Sequence, residues 1–241
     1  MWLLSNKTKI ADSGLLEGFC DWHCHLLPGV DDGVSEMRES LDILERWESF
    51  GVREVWLTPH VMEDIPNETE ALRRGFIQLH ERYRGNILLH LASENMMDNL
   101  LHQRLAANDV IPIGAKDMHL MVETSYFNPP MDMGKVVDKV KSAGYIPVLA
   151  HPERYQYMDI GDYKKWKDKG LLLQLNIPSL VGAYGPVALK KAEMLLEKGF
   201  YDLAGTDTHS MRAVDFFLNG KIKKSDLKKV KVLKIYKNQK L

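Results

Sequence analysis

Seven apolar runs of strand length recur along this chain in alternation with helical stretches, and six of the seven deliver a histidine, aspartate or glutamate at or just past their end. The runs are FCDWH (19–23), VREVWLTPH (52–60), NILLHLASE (86–94), MHLMVE (118–123), YIPVLAH (145–151), LLLQLNI (171–177) and YDLAGTDTH (201–209). Between them lie Ser35 to Phe50, with Ser35 as N-cap, an apolar face of Leu41, Leu44, Trp47 and Phe50, and Gly51 as terminator; then 67–83, Asn95 to Ala107, Met133 to Ala143, 162–170 and 186–200. Strand alternating with helix predicts a parallel sheet joined by crossovers. An open doubly wound sheet builds its site from a few loops at one switch point, whereas a barrel collects side chains from the C-terminal end of every strand. His25, His60, Glu94, Glu123, His151, Asp207 and His209 come from six different runs, so the pattern predicts a barrel. With seven strands instead of eight, the expected fold class is α/β, a distorted (β/α)7 TIM-like barrel whose site lies at the C-terminal ends of the strands.

A chain of 241 residues can bury one large core, and one barrel domain over 1–241 is the expectation, with 1–18 an N-terminal extension and 220–241 a lysine-rich tail. Nine lysines interleave with Val, Leu and Ile in that tail, which reads as a solvated surface strand or helix. The net charge of -1 offers no field for nucleic acid. Two cysteines, Cys20 and Cys24, exclude a disulfide framework and suit a reducing compartment. The N-terminus lacks the form of a signal peptide, and no apolar run approaches the ~18 residues of a membrane helix. A cytoplasmic protein without direct membrane insertion is expected.

The first run carries the sharpest local signal, FCDWHCHLLPGVDDG. His23 and His25 are two residues apart at a strand end, so their imidazoles share a face, and imidazole suits zinc, iron and similar ions. Cys24 lies between them and faces the other way, as a buried apolar thiol. Pro28, Gly29 and Gly33 turn the chain so that Asp31 and Asp32 come back to the same end. Counting across the chain gives five histidines and four carboxylates: His23, His25, Asp32, His60, Glu94, Glu123, His151, Asp207 and His209. One zinc takes three or four ligands. Nine such groups exceed one ion, and crowded carboxylates repel unless cations separate them, so two or three divalent metals are expected.

In their order, HCHLLPGVDDG, TPH, the Glu of ASE, the Glu of MVE, HPERY and GTDTH resemble the motifs of the polymerase-and-histidinol-phosphatase superfamily. Within it, HxHxLPGxDDG, HPERY and the SLVGAYG segment (Ser179 to Gly185) are similar to the metal-dependent bacterial protein-tyrosine phosphatases of capsule and exopolysaccharide loci, over about Phe19 to Arg212. The resemblance implies a trinuclear site of manganese, iron or zinc. His23, His25, Glu94 and Asp207 would hold one ion, Glu94, Glu123 and His151 a second, and Asp32, His60 and His209 a third. It also implies phosphate-binding arginines, for which Arg154 in HPER matches and Arg212 is the nearest candidate after GTDTH. The chain departs from that family in its 18 residues before the first strand and its shortened segment after GTDTH.

The implied activity is hydrolysis of phosphotyrosine by a metal-bridged hydroxide, on the tail of a membrane-associated bacterial tyrosine kinase that governs capsule or exopolysaccharide synthesis. A Cys-x5-Arg phosphatase is excluded, because Leu26 and Val30 stand where the arginine would follow Cys20 or Cys24. Two alternatives remain: a phosphoesterase for small esters of the histidinol-phosphate or sugar-phosphate type, and a non-catalytic metal-binding regulator. His80, His90, His102 and His119 read as ordinary histidines, the second and fourth facing the barrel's far end. Asp31 reads as a turn carboxylate, Glu153 as the partner of a neighbouring base, and Tyr126 and Tyr155 as packing aromatics.

Overall fold

The computed structural model describes residues 6–114, 116 and 118–237, so the first five residues of the N-terminal extension and the last four of the tail lie outside it. In chain order the strands are β1 (Lys7–Lys9), β2 (Cys20–Cys24), β3 (Glu54–Leu57), β4 (His60–Val61), β5 (Leu88–Leu91), β6 (Glu94–Met96), β7 (His119–Glu123), β8 (Ile146–Leu149), β9 (Leu172–Asn176), β10 (Leu203–Gly205) and β11 (Lys221–Lys223). The helices are α1 (Met37–Ser49), α2 (Thr69–Arg82), α3 (Asn99–Ala106), α4 (Met133–Ser142), α5 (Ile160–Asp168), α6 (Gly185–Glu197), α7 (Met211–Asn219) and α8 (Lys224–Lys237), with 3-10 turns at Pro152–Arg154 and Ile177–Val181.

The predicted alternation holds. The runs 52–60 and 86–94 each split in two, as β3–β4 and β5–β6. Pro59 has no N–H to give the ladder, yet its carbonyl accepts from Glu94 N–H at 3.0 Å, and Thr58 N–H reaches the Cys24 carbonyl at 2.8 Å. Parallel pairing runs β2–β3–β5 on one side and β4–β6–β7–β8–β9–β10 on the other. The ring closes between β10 and β2, where Asp207 N–H donates to the His23 carbonyl (2.7 Å) and His25 N–H to the Thr208 carbonyl (2.9 Å). Buried Asp21 fastens the same seam, accepting from the Thr206 N–H and hydroxyl at 2.7 and 2.6 Å. Gly205 allows the close approach: a Cβ there would lie 2.6 Å from the His23 Cβ and 2.8 Å from its nitrogen.

Two apolar layers hold this ring. Leu and Val side chains on the outer strand faces share one core with the helices, a core that includes Val55 and Leu57 of β3 and Leu44 and Trp47 of α1. Inside, Trp22, Trp56, Met121, Val148 and Leu203 plug the lower barrel, with Trp22 and Trp56 stacked at 5.6 Å. His90 stacks on Trp56 at 4.4 Å and pairs with Glu54 at 3.0 Å, which places it at the far end of the barrel.

Three expectations are corrected. Ser35 does not cap α1; Glu36 occupies that position and makes no side-chain cap. Glu153 pairs with no base among the described residues: its buried carboxylate accepts from Asn176 N–H, the Ser179 hydroxyl and the Tyr201 hydroxyl at 2.7 to 3.0 Å, neutral donors that leave burial to raise its pKa. The tail is not merely solvated, since β11 pairs antiparallel with β1 and the side chains of Ile222 and Val230 are fully buried.

Candidate metal centre

A regular strand alternates its side chains, so Trp22 facing the barrel interior should send His23 outward. The β2–β3 register slips by one residue between Asp21 and Cys24, and this bulge lets Trp22, His23 and His25 all face inward while Cys24 packs outside. His151 meets the same problem after inward Val148 and Ala150. Its left-handed backbone, φ 32°, turns the ring back over the cluster. Asp207, also left-handed at φ 50°, continues β10. Gly33 folds the Asp31–Asp32 turn onto His25, where a Cβ would strike the His25 carbonyl at 2.3 Å.

The nine side chains meet at the C-terminal rim. Glu94 is their centre: one carboxylate oxygen lies 3.1, 3.2 and 3.2 Å from His23 Nε2, His25 Nε2 and His60 Nδ1, and the other 2.9 Å from His151 Nε2. Asp207 Oδ1 lies 3.4 to 3.5 Å from His23, His25 and His209. Glu123 Oε1 is 3.0 Å from His60 Nδ1, and Asp32 Oδ1 is 3.4 and 3.5 Å from His60 and His209. Around an ion with bonds of about 2.1 Å, ligand atoms stand about 3.0 to 3.4 Å apart, the edges of an octahedron or tetrahedron. These spacings match those edges.

Among the described residues, four sets of donors converge closely enough to hold an ion: His23, His25, Asp207; His23, Glu94, His151; His60, Glu94, Glu123; and His25, Asp32, His60, His209. His60 thus turns Nδ1 to the carboxylates of Glu94 and Glu123 and Nε2 to Asp32, where the resemblance gave it to the third group alone. The cluster also passes a test of need. His60 Nδ1 and Glu123 Oε1 are buried, 3.0 Å apart and without a hydrogen bond, which is costly for two polar atoms unless a cation lies against them. Burial would lift the Glu94 and Asp207 carboxyls, but facing histidines outweigh it and hold both well below the usual range. Burial lowers His60, yet Glu94 and Asp32 push it up to about 10, and His25 is raised likewise. Without metal, protons on the imidazoles supply the positive charge, and an entering cation displaces them.

Other residues orient this set. Asp31 Oδ2 accepts from His25 Nδ1 at 2.8 Å and from His60 N–H at 3.0 Å. Gln174 Oε1 lies 3.0 Å from His23 Nδ1 and accepts from His151 N–H at 3.2 Å, and Asn176 donates to Asp207 Oδ2 at 2.6 Å. Both sit on β9, the strand without a ligand-type residue. Two amides at i and i+2 in an otherwise apolar run were the available signal, and sequence reasoning missed it. Tyr155 is fully buried and donates to the Ala150 carbonyl, a packing role.

A cavity of about 290 Å³ opens over the cluster, with His60, His151, Asp207 and His209 on its floor and Tyr126, Arg154 and Tyr184 on its wall. Arg154 Nη1 donates to Asp207 Oδ2 at 2.9 Å. Arg212, exposed on α7, lines an adjoining cavity of about 300 Å³ that shares Tyr184 and Asp207 with the first. A larger apolar cavity of about 450 Å³ lies where α6 meets α8, and it contains no group of the cluster.

The capsular polysaccharide synthesis family CpsB/CapC matches residues 19–219. The chain belongs to that family. It is 26% identical over 202 residues to the tyrosine-protein phosphatase YwqE of Bacillus subtilis, covering 81% of this chain and 79% of that one. Against the tyrosine-protein phosphatase CpsB of Streptococcus pneumoniae it is 22% identical over 202 residues, covering 79% and 83%. A crystal structure from the study of YwqE and CpsB, described there as metal-dependent tyrosine phosphatases, superposes with a TM-score of 0.74 at 24% identity, over 88% of this chain and 85% of that one. That likeness supports the barrel. Among the described residues no helix is long and apolar enough to cross a membrane.

Proposed function

We propose that this CpsB/CapC protein is a metal-dependent phosphomonoesterase acting on phosphotyrosine in protein. The observation that carries the reading is a cluster of nine converged ligand-type side chains, five of which line one cavity that has the half-buried Arg154 on its wall. The ligand groups would be His23, His25, Glu94 and Asp207; Glu94, Glu123 and His151, with His60 Nδ1 in reach; and Asp32, His60 and His209. Two or three divalent ions, manganese, iron or zinc, would supply Lewis-acid charge for the phosphate oxygens and a nucleophile drawn from water. Gln174 and Asp31 hold His23 and His25 at the angle their second nitrogens need, and Asn176 holds Asp207. Arg154 presents a guanidinium fork at the cavity wall for two phosphate oxygens, and Arg212, on α7, lines the adjoining cavity. The aromatic wall of Tyr126 and Tyr184 suits the ring of a tyrosyl phenolate leaving group. Neither cysteine takes part, since both thiols are buried and burial pushes their pKa well up. The substrate we assign is the phosphorylated tail of a membrane-associated tyrosine kinase in polysaccharide export, met in the cytoplasm.

The test is turnover of a phosphotyrosyl peptide against histidinol phosphate with added manganese, in the parent and in Arg154 variants. A phosphate clamp in a partly dry site is worth about 2 to 4 kcal/mol at the transition state, so Arg154→Ala should lose roughly 30- to 1000-fold in kcat/KM. Arg154→Lys should recover part of this. A parent that prefers histidinol phosphate, or an alanine variant within twofold of it, overturns the assignment.

A further inference from the structure

Arg154 is held in an unusual way for a phosphate ligand. Its guanidinium carbon lies 4.1 Å from the ring centre of Tyr126 and 4.3 Å from that of Tyr184, one ring contributed by the segment after β7 and the other by the segment before α6. The electron-rich faces of both rings attract the cation and confine it to one plane. At the edge of that plane, Asp207 Oδ2 receives three donors: Arg154 Nη1 at 2.9 Å, Asn176 Nδ2 at 2.6 Å and the Tyr184 hydroxyl at 3.0 Å. One carboxylate oxygen has two lone pairs, so it is oversupplied. The other oxygen, Oδ1, faces His23, His25 and His209.

We propose that Tyr126 and Tyr184 are positioning residues: the two rings hold Arg154 in a slot over the cluster, and the Tyr184 hydroxyl with Asn176 keeps Asp207 fixed while Arg154 turns from it to a phosphate. The slot restricts the guanidinium to motion within its own plane, between Asp207 and the cavity, which is the motion needed to exchange one anion for another. Because Asp207 keeps two donors after Arg154 leaves, the exchange exposes no unpaired buried carboxylate oxygen. This deepens, and rests on, the reading of Arg154 as the phosphate clamp.

Calorimetric binding of inorganic phosphate to the manganese-loaded protein tests it without turnover. Each of Tyr126→Leu and Tyr184→Leu should weaken phosphate binding about 3- to 30-fold, the range of one desolvated cation–aromatic contact. Tyr184→Phe keeps the ring and should lose less phosphate affinity than Tyr184→Leu, while weakening manganese binding several-fold through Asp207. In an Arg154→Ala background neither leucine substitution should weaken phosphate further, because the rings act only through the arginine. Equal losses in both backgrounds would overturn the proposal. For variants that fail to fold, the metal-free parent suffices: rings stacked on both faces should shift the Arg154 Nε–H proton resonance upfield, and a random-coil position would overturn the slot. If the parent binds phosphate through Arg154 but does not hydrolyse phosphotyrosyl peptide, the slot stands and the phosphatase reading fails.

Discussion

Replacing Glu94 by glutamine removes one negative charge and changes almost nothing in shape, so it isolates the electrostatic role of the residue at the centre of the cluster. The side chain has no solvent exposure, and its two oxygens face different neighbours, His151 on one side and His23, His25 and His60 on the other. In the metal-loaded form we propose, a carboxylate so placed would lie between two ions. Two dications about 3.5 to 4 Å apart repel by on the order of 18 kcal/mol at an effective dielectric constant of ~20. A single negative charge ~3 Å from each returns on the order of 11 kcal/mol per ion on the same scale, enough to make the pair net attractive. The amide returns none of this. Glu94→Gln should therefore lose at least one ion per chain after manganese loading and dialysis, read by elemental analysis against a parent value above one. Hydrolysis of phosphotyrosyl peptide should fall by about 10³-fold or more, several kcal/mol of lost transition-state stabilisation. The metal-free variant should also melt lower than the metal-free parent, since its protonated histidines lose their central anion. A variant that binds as many ions as the parent would refute the placement of Glu94 between ions.

Chelation followed by dialysis should abolish activity and re-addition of manganese restore it, whereas the Cys20→Ala, Cys24→Ala double variant should keep turnover below its melting temperature; inactivity of that variant at full metal content would point to thiol chemistry. Gly205→Ala should destabilise the protein by about 3 kcal/mol or more, because the added methyl meets His23 backbone at the barrel seam; denaturant unfolding checks this, and a change under ~1 kcal/mol would mean the seam opens easily. Glu54 is held below its ordinary range by the His90 imidazole 3.0 Å away, whose attraction outweighs the burial of the carboxyl. Its stabilisation is therefore present above about pH 4.5 and lost as the pH falls through its lower folded value. Glu54→Gln should flatten the acid limb of the melting-temperature profile, and an unchanged limb would remove the pair from the account.

How much could be read from the residues depends on what each signal encodes. Apolar period and turn chemistry marked all seven barrel strands, because all but β5, whose Leu88 is exposed, are largely buried on both faces and bounded by polar or glycine-rich segments. The interruptions at Thr58–Pro59 and Ala92–Ser93 were not legible as breaks, since the chain there still hydrogen-bonds to its neighbours. The ligand-type residues stood out because histidine and carboxylate are rare at the ends of apolar runs, and the structure brings them into one cluster. The ion grouping was less legible: His60 has two nitrogens, and only the fold shows that one faces Glu94 and Glu123 while the other faces Asp32. Glu153 was misread because proximity to Arg154 in sequence suggested a salt bridge, whereas the 3-10 turn points it into the core and Arg154 into the cavity.

The irregularities of the barrel follow from a mismatch of length scales. A strand supplies one inward side chain every second residue, roughly 6.6 to 7 Å apart along its axis. Donors around ions must stand about 3 Å apart, and here they lie 2.9 to 3.5 Å from one another. Regular strands cannot meet that density from the inward positions of one layer. The chain departs from regularity where another donor is needed: the bulge in β2 that turns His23 inward beside Trp22, and the left-handed residues at His151 and Asp207. Each left-handed residue costs of order 1 to 3 kcal/mol, and both lie beside the seam and strand β9, where Gln174 and Asn176 tie them down. Strain and ligand density thus occupy the same part of the rim, and the apolar plug of Trp22, Trp56 and Met121 beneath it keeps the strained backbone from relaxing inward.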